Sequence, residues 1–219
     1  MLGGCPKRRR RKEARPAEIV EAARLCFVDN GFAATRIEDV AARAGVAKGT
    51  VYLYFPTKEA LFEAVARANV VPVIEQVIRA IEADETTPAF DQLRMIARVM
   101  YRDMVGTDRK RLLHMIIAEG PRFPWLTEFY HREILSKGMD LIRAVLRRGQ
   151  ARGEFRAEGL DEFPQILMAP TIIAAIFTHL FDAHDPIDVE RYADVHIALI
   201  ERALLPDRTS GGDRQPDPE

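Results

Sequence analysis

The sequence predicts an all-α chain made of two helical domains. Three observations lead there. Apolar residues recur at helical spacing along almost the whole length between the two ends, no useful stretch alternates with the two-residue period of a strand, and Gly or Pro residues cut the periodic run into helix-sized pieces. The 219 residues suffice for a small domain joined to a larger one, and 47% hydrophobic with 30% charged residues is the balance of a globular protein with a substantial core. The expected division is a basic unstructured tail over 1–14, a three-helix domain over 15–62, a larger helical domain over 63–205 and a second unstructured tail over 206–219.

The elements follow in order. The tail centres on Lys7-Arg8-Arg9-Arg10-Arg11-Lys12, whose like charges repel. A first helix over 16–30 places Ile19, Ala22, Ala23, Cys26 and Phe27 on one stripe, starts at Pro16 and stops at Asn30-Gly31. Thr35 stands three residues before Glu38 in the pattern of a capping box, so a second helix is expected from there to Ala44, ended by Gly45. A short third helix runs from near Ala47 to just before Pro56. Thr57 caps a fourth, with Leu61, Phe62, Val65 and Ala66 apolar, and Pro72 should kink that helix or split it. Further helices are expected over about 88–105, 108–119, 124–151, 160–182 and 188–204, with no internal repeat.

Charge is unevenly placed. The net charge is −1, yet residues 1–60 sum to +5 and the rest to −6. A basic head on an acidic body suggests that only the head meets a polyanion. The two cysteines, Cys5 and Cys26, are too few for a disulfide framework and fit a reducing cytoplasm, with Cys26 on a core stripe. The apolar run 166–177 contains Pro170 and falls short of a membrane span, and the first residues lack the apolar region of a secretion signal, so the expected location is cytoplasmic with no membrane partner. No Gly-rich phosphate loop, nucleophile elbow or metal-ligand pair is present, and the five histidines have no tight ligand spacing. The expectation is a protein that is not an enzyme, with no metal and no cofactor.

The stretch from Thr35 to Phe55 reads as two short helices joined by a tight turn at Gly45. Ile37, Val40, Ala41 and Val46 are spaced to pack the pair together. The second helix is odd for a core helix: Lys48, Gly49, Thr50, Tyr52 and Tyr54 are polar or small and mostly lie off its apolar edge, Val51 and Phe55. Protruding donors and rings on so short a helix suit the major groove of double-stranded DNA. Thr35 and Lys58 open the flanking helices and read as phosphate clamps. A structural three-helix bundle with solvated faces accounts for the same spacing. The Arg-rich tail is suited either to the neighbouring minor groove and phosphates or to a solubilising role.

The runs Phe-Val-Asp-Asn-Gly-Phe-Ala-Ala-Thr-Arg at 27–36, Ile-Glu-Asp-Val-Ala-Ala-Arg-Ala-Gly-Val at 37–46 and Lys-Gly-Thr-Val-Tyr-Leu-Tyr-Phe-Pro-Thr-Lys-Glu-Ala-Leu at 48–61 resemble the DNA-binding domain of the TetR/AcrR family of bacterial repressors. The resemblance spans about 17–65, a quarter of the chain. It implies that Thr35, Arg36, Lys48, Gly49, Thr50, Tyr52, Tyr54 and Lys58 lie at the DNA, with Lys48, Thr50 and Tyr52 toward the groove and Thr35, Tyr54 and Lys58 toward the backbone. It also implies a palindromic operator and a homodimer formed by the last two helices, 160–182 and 188–204. Residues 72–205 resemble the family's regulatory domain more weakly, through the stretches 117–124 and 148–155.

The composition of the penultimate helix supports that dimer independently. Residues 166–181 are apolar almost all round, so the helix must be covered by its own domain on one side and by a partner on the other. A small, largely apolar effector is expected among the helices between 72 and 182. The soft or aromatic candidates for its lining are Met95, Met104, Met115, Trp125, Phe129 and Met168; the polar ones are Tyr101, His114, Tyr130 and Thr171. The same side chains at helical spacing also suit an ordinary core. The resulting function is an effector-responsive transcriptional repressor. An architectural DNA binder without a ligand is the alternative, which the large, net acidic second domain disfavours.

Overall fold

A computed structural model of the chain describes residues 6–84, 86–156 and 159–206. Among them every regular element is helical: α1 (Pro6–Ala34), α2 (Ile37–Arg43), α3 (Lys48–Tyr54), α4 (Lys58–Asn69), α5 (Val71–Ala83), α6 (Ala89–Val99), α7 (Arg109–Glu119), α8 (Pro124–Tyr130), α9 (Ser136–Ala151), α10 (Gln165–Leu180) and α11 (Val189–Leu204). Two π-helical segments, π1 (Met100–Val105) and π2 (His131–Leu135), continue α6 and join α8 to α9.

The expected breaks recur. Gly31 sits at φ 77°, a kink that lets α1 turn before its last residues, and Gly45 takes φ 64° in the α2–α3 turn. Val70 ends α4, and Pro72 falls in the first turn of α5, where a missing N–H costs nothing. One expectation is corrected. Residues 6–14, read as an unstructured tail, continue α1 backward through Pro16. Lys and Arg are good helix formers, and Pro16 withholds a single N–H from the ladder. The rest of the expected tails, 1–5 and 207–219, lies outside the described residues.

Three buried clusters organise the fold. The first joins the stripe of α1 (Ile19, Ala23, Phe27) to α2, α3 and α4 and then continues into the body through Met104, Leu112, Met115, Leu126 and Phe129. The second packs α5, α6, α9 and α11 through Val77, Phe90, Leu146 and Ile200. The third is small: Tyr101 and Val105 meet Ala174, Ala175 and Ala193, and the alanines let π1, α10 and α11 approach closely. Head and body therefore share one core.

Polar ties reinforce this junction. Glu119, the last residue of α7, accepts the backbone N–H of Phe32 at 2.8 Å and of Ala33 at 2.7 Å. Arg109, the first residue of α7, donates from Nε to the Asn69 carbonyl at the end of α4, 2.6 Å away. The Phe32 ring is packed among Phe27, Phe62, Phe123 and Trp125, with centroids 5.0–5.8 Å apart. Among the described residues no helix is long and apolar enough to cross a membrane.

Candidate nucleic-acid interface and regulatory cavity

The helix pair is built as its spacing implies. Ile37, Val40, Ala41 and Val51 are buried between α1, α2 and α3, and Val46 packs against the same core. At 3.6 residues per turn, burying Val51 sends Gly49 and Leu53 to the opposite side of α3, with Lys48 and Tyr52 on the flank between. Tyr52 is 42% and Leu53 75% exposed, although both are large hydrophobic side chains. Lys48 and Gly49 are exposed beside them.

The charge on this face is poised rather than locked. Lys48 Nζ lies 2.5 Å from Glu38 Oε1 and 5.8 Å from the Tyr52 ring centroid. The carboxylate raises the lysine above its usual range and is itself lowered by it. Both side chains are about half exposed, and a pair so solvated contributes little, so an incoming acceptor can take the ammonium from Glu38.

The other residues expected on this surface fall into two groups. Arg36 is exposed at the cap of α2, Thr50 is half-buried, and Tyr54 is half-buried with its ring against the first core. Thr35 and Lys58 are turned toward the protein itself. Thr35 is only 2% exposed; its hydroxyl turns back to the Gly31 carbonyl at 2.6 Å and the Cys26 carbonyl at 3.0 Å, and it makes no side-chain cap for α2. Lys58 Nζ reaches the carbonyls of Phe32, Ala33 and Thr35 at 2.8, 3.2 and 3.1 Å and stands 4.5 Å from the centre of the Phe32 ring. An ammonium has three N–H groups, and here all three are spent closing the end of α1. Both residues hold the head together instead of facing out from it.

In the body, α5, α6, π2, α9 and α10 line a partly open cavity of about 70 Å³. Its wall is aliphatic, with Ile74, Val77, Met100, Ile134, Met139 and Met168 among the lining, and Tyr130 is the single polar side chain on it. Burial pushes the Tyr130 phenol up to about 12, so it is a neutral hydroxyl at any ordinary pH. Both π segments contribute: Met100 opens π1, and Ile134 and Leu135 close π2. Such segments carry one residue more per turn than an α-helix and recur at functional sites.

Of the ten side chains expected to line an effector site, Tyr130 and Met168 lie on this cavity, and Thr171 meets Met168 at a smaller void of about 20 Å³ beside it. The other seven lie away from both voids. Met104, Met115 and Phe129 are buried in the core shared by head and body, and Trp125 packs on it against Phe32 and Phe62. Tyr101 is buried with its hydroxyl 2.9 Å from His196 Nδ1. His114 lies against His179, ring centroids 4.3 Å apart, and Met95 is 39% exposed on α6. Helical spacing marked these as inward-facing, but it could not say which inward face borders a void. The aliphatic wall from α5 was missed for the same reason. No group of three or more metal-ligating side chains occurs among the described residues.

Along α10 and α11 a second surface is apolar and open. Ile166, Ile173, Phe177 and Leu180 form a stripe on α10, and Val195 and Leu199 face out from α11.

A family model for bacterial regulatory proteins of the tetR family matches residues 19–65, and one for the tetracyclin repressor-like C-terminal domain matches residues 83–196. Over 160 residues the chain is 29% identical to the HTH-type transcriptional regulator TtgR of Pseudomonas putida, covering 69% of this chain and 76% of that one. Among solved structures it superposes on the regulator FadR of Bacillus subtilis in complex with stearoyl-CoA, with TM-score 0.67 and 20% identity over 84% of this chain and 96% of the other. It also superposes on the SmeT–triclosan complex, with TM-score 0.74 and 20% identity over 94% and 100% of the two chains.

Proposed function

The chain belongs to the TetR family of bacterial transcriptional regulators, and from that premise we propose that it is a repressor that holds a palindromic operator as a homodimer and leaves it when a small, largely apolar effector binds the body. The observation that carries the DNA part is the outer face of α3, where Lys48, Gly49, Tyr52 and Leu53 stand clear of the protein on a helix whose other side is fixed by Val51. A short helix held this way suits the major groove. Arg36 and Tyr54 flank it toward the phosphates.

The dimer follows from the stripe on α10 and α11. Six large apolar side chains on two adjacent helices are a poor surface for a lone monomer, and pairing with a second copy covers them symmetrically. Two heads related by a two-fold axis then read half-sites about one helical turn apart, or somewhat more.

The effector part rests on the cavity. Its aliphatic wall with one neutral hydroxyl favours an uncharged, greasy molecule bearing one hydrogen-bonding group, because a buried charge would find no counter-charge there. That two structural neighbours are solved with small molecules agrees with such a role. The lever is α4, which starts at the head on Lys58 and is held at its end by Arg109. Coupling of about 1–3 kcal/mol, or roughly 5- to 150-fold in operator affinity, is the usual range for such devices.

The test is selection of duplexes from a random pool by the full chain, followed by release of the selected duplex with a library of uncharged small molecules. Recovery of an inverted repeat bound by two copies, with release by at least one apolar compound, supports the reading. A single asymmetric site bound by one copy defeats the homodimer. A duplex that no compound releases favours the architectural alternative.

A further inference from the structure

Among the described residues Leu53 is the most exposed of the exposed large hydrophobic side chains, at 75%, and it lies at the centre of the face that the proposed function gives to DNA. Gly49 lies one turn before it on the same face. A Cβ built on Gly49 would meet nothing within 4 Å, so no neighbour in the chain requires a glycine there. Its backbone is ordinary helix in the first turn of α3, where alanine would be the better helix former. Side chains on a helix lean toward its N-terminus, so Leu53 leans over the bare Cα of Gly49. The result is a flat apolar shelf, flanked by the Lys48 ammonium and the Tyr52 ring, that asks for close approach by a surface from outside.

Within the major groove one base carries an apolar group on its edge: thymine, through its 5-methyl. A charged or hydrogen-bonding edge cannot satisfy a leucine, and a phosphate would leave it in water. Resting on the DNA reading above, we propose that Leu53 specifies thymine at one position of each operator half-site by packing on the 5-methyl group, and that Gly49 is bare so that the groove edge can come near enough.

The chemistry allows a test at single-methyl resolution, because deoxyuridine is thymidine without that methyl. In the duplex selected by the wild-type full chain, each thymine is replaced in turn by deoxyuridine, in one half-site and then in both. Burial of one methyl group is expected to shift affinity about fourfold per half-site, and roughly fifteenfold when both half-sites are changed. In Leu53→Ala the penalty at that thymine should vanish while the penalties at other thymines persist; in Leu53→Met it should be kept. Unchanged thermal unfolding shows that the variants fold, as expected for so exposed a position. If deoxyuridine costs the same in wild type and Leu53→Ala at every thymine, the assignment is overturned even though operator binding stands. If Leu53→Ala lowers affinity with no change in that pattern, Leu53 touches something other than thymine, and the assignment is again overturned. If the wild-type chain selects no duplex at all, the DNA reading itself falls and this inference with it.

Discussion

Glu119 accepts the backbone N–H of Phe32 across 87 positions of sequence, at 2.8 Å, and so ties the last turn of α7 to the turn that feeds the helix pair. Its second oxygen takes the N–H of Ala33, while Lys58 closes the carbonyls of the same two residues from the other side. A Cβ on Gly31 would collide with this carboxylate, so the kink and the tie depend on each other. Glu119→Ala is expected to cost about 2–4 kcal/mol, since it leaves two N–H groups without their charged acceptor, and Glu119→Gln about half of that. Urea unfolding followed by circular dichroism measures both. A loss below about 0.5 kcal/mol in Glu119→Ala would mean that the shared core alone holds the head.

Gly49→Ala should move stability and DNA binding in opposite directions. The fold gains up to about 0.5 kcal/mol, less than at a mid-helix position, because alanine is the better helix former and the added methyl meets open space. Operator affinity falls by tenfold or more as the methyl blocks the groove edge. Thermal unfolding and fluorescence anisotropy on the selected duplex read the two effects, and equal or tighter binding would refute close approach at this position.

Ile173→Glu and Leu199→Glu should each yield a folded monomer. Both side chains are already exposed in the single chain, so the helices do not need them, whereas a carboxylate in a symmetric apolar interface would be buried without a partner. Sedimentation at micromolar concentration should show the mass halved and operator affinity reduced. An unchanged dimer would move the interface off α10 and α11.

Stability should decline on acidification through the histidines. Burial lowers the pKa of His196, and burial with His114, Arg111 and Lys110 nearby lowers that of His179. The unfolded chain, with histidines near 6.5, therefore takes up protons first. The neutral rings contribute full stability above about pH 6.5, and that contribution is lost as pH falls through the folded values. Urea midpoints at pH 7.5 and 5.5 should differ in that sense, and His196→Gln should shrink the difference. An equal midpoint at both values would show that neither ring titrates differently on unfolding.

Met139→Trp should fill the cavity between α9 and its neighbours and abolish release by an apolar effector while leaving the operator complex intact. Tyr130→Phe should weaken effectors that carry a hydrogen-bonding group more than those that carry none. If release by a confirmed effector survives Met139→Trp, the effector binds elsewhere.

Much of the helical order was legible because its signals are local. Gly31, Gly45, Pro72 and the 109–119 and 189–204 stripes announce themselves within a turn or two of sequence. The outer face of α3 was legible too, since Lys48, Gly49 and Tyr52 stand off the apolar edge marked by Val51. The internal partners of Thr35 and Lys58 were not legible, because a threonine or lysine at a helix start looks the same whether it meets solvent or a carbonyl. Their true partners, in one case 26 residues away, are set by how α1 and α4 pack. The cavity wall was unreadable for a related reason: periodicity separates inside from outside, but a void is the absence of a neighbour contributed by another helix. Leu53 could have been singled out by asking which apolar residue opposes Val51.

Each π segment holds one residue more than the α-helical register needs, and at π1 the bond from the Gly106 N–H to the Tyr101 carbonyl, 2.9 Å, spans that surplus. Removing one residue from π2, which lies between α8 and α9, would make the two one unbroken α-helix and swing α9 by roughly 100° about the axis relative to α8. Relatives that differ in length by a single residue at 131–135 would then present a different arc of α9 side chains to the same hollow, with the hydrogen-bonded turns on either side preserved. In this architecture such a one-residue deletion or insertion would replace together the four lining positions that α9 supplies, Gly138, Met139, Leu141 and Ile142, where a point substitution changes one.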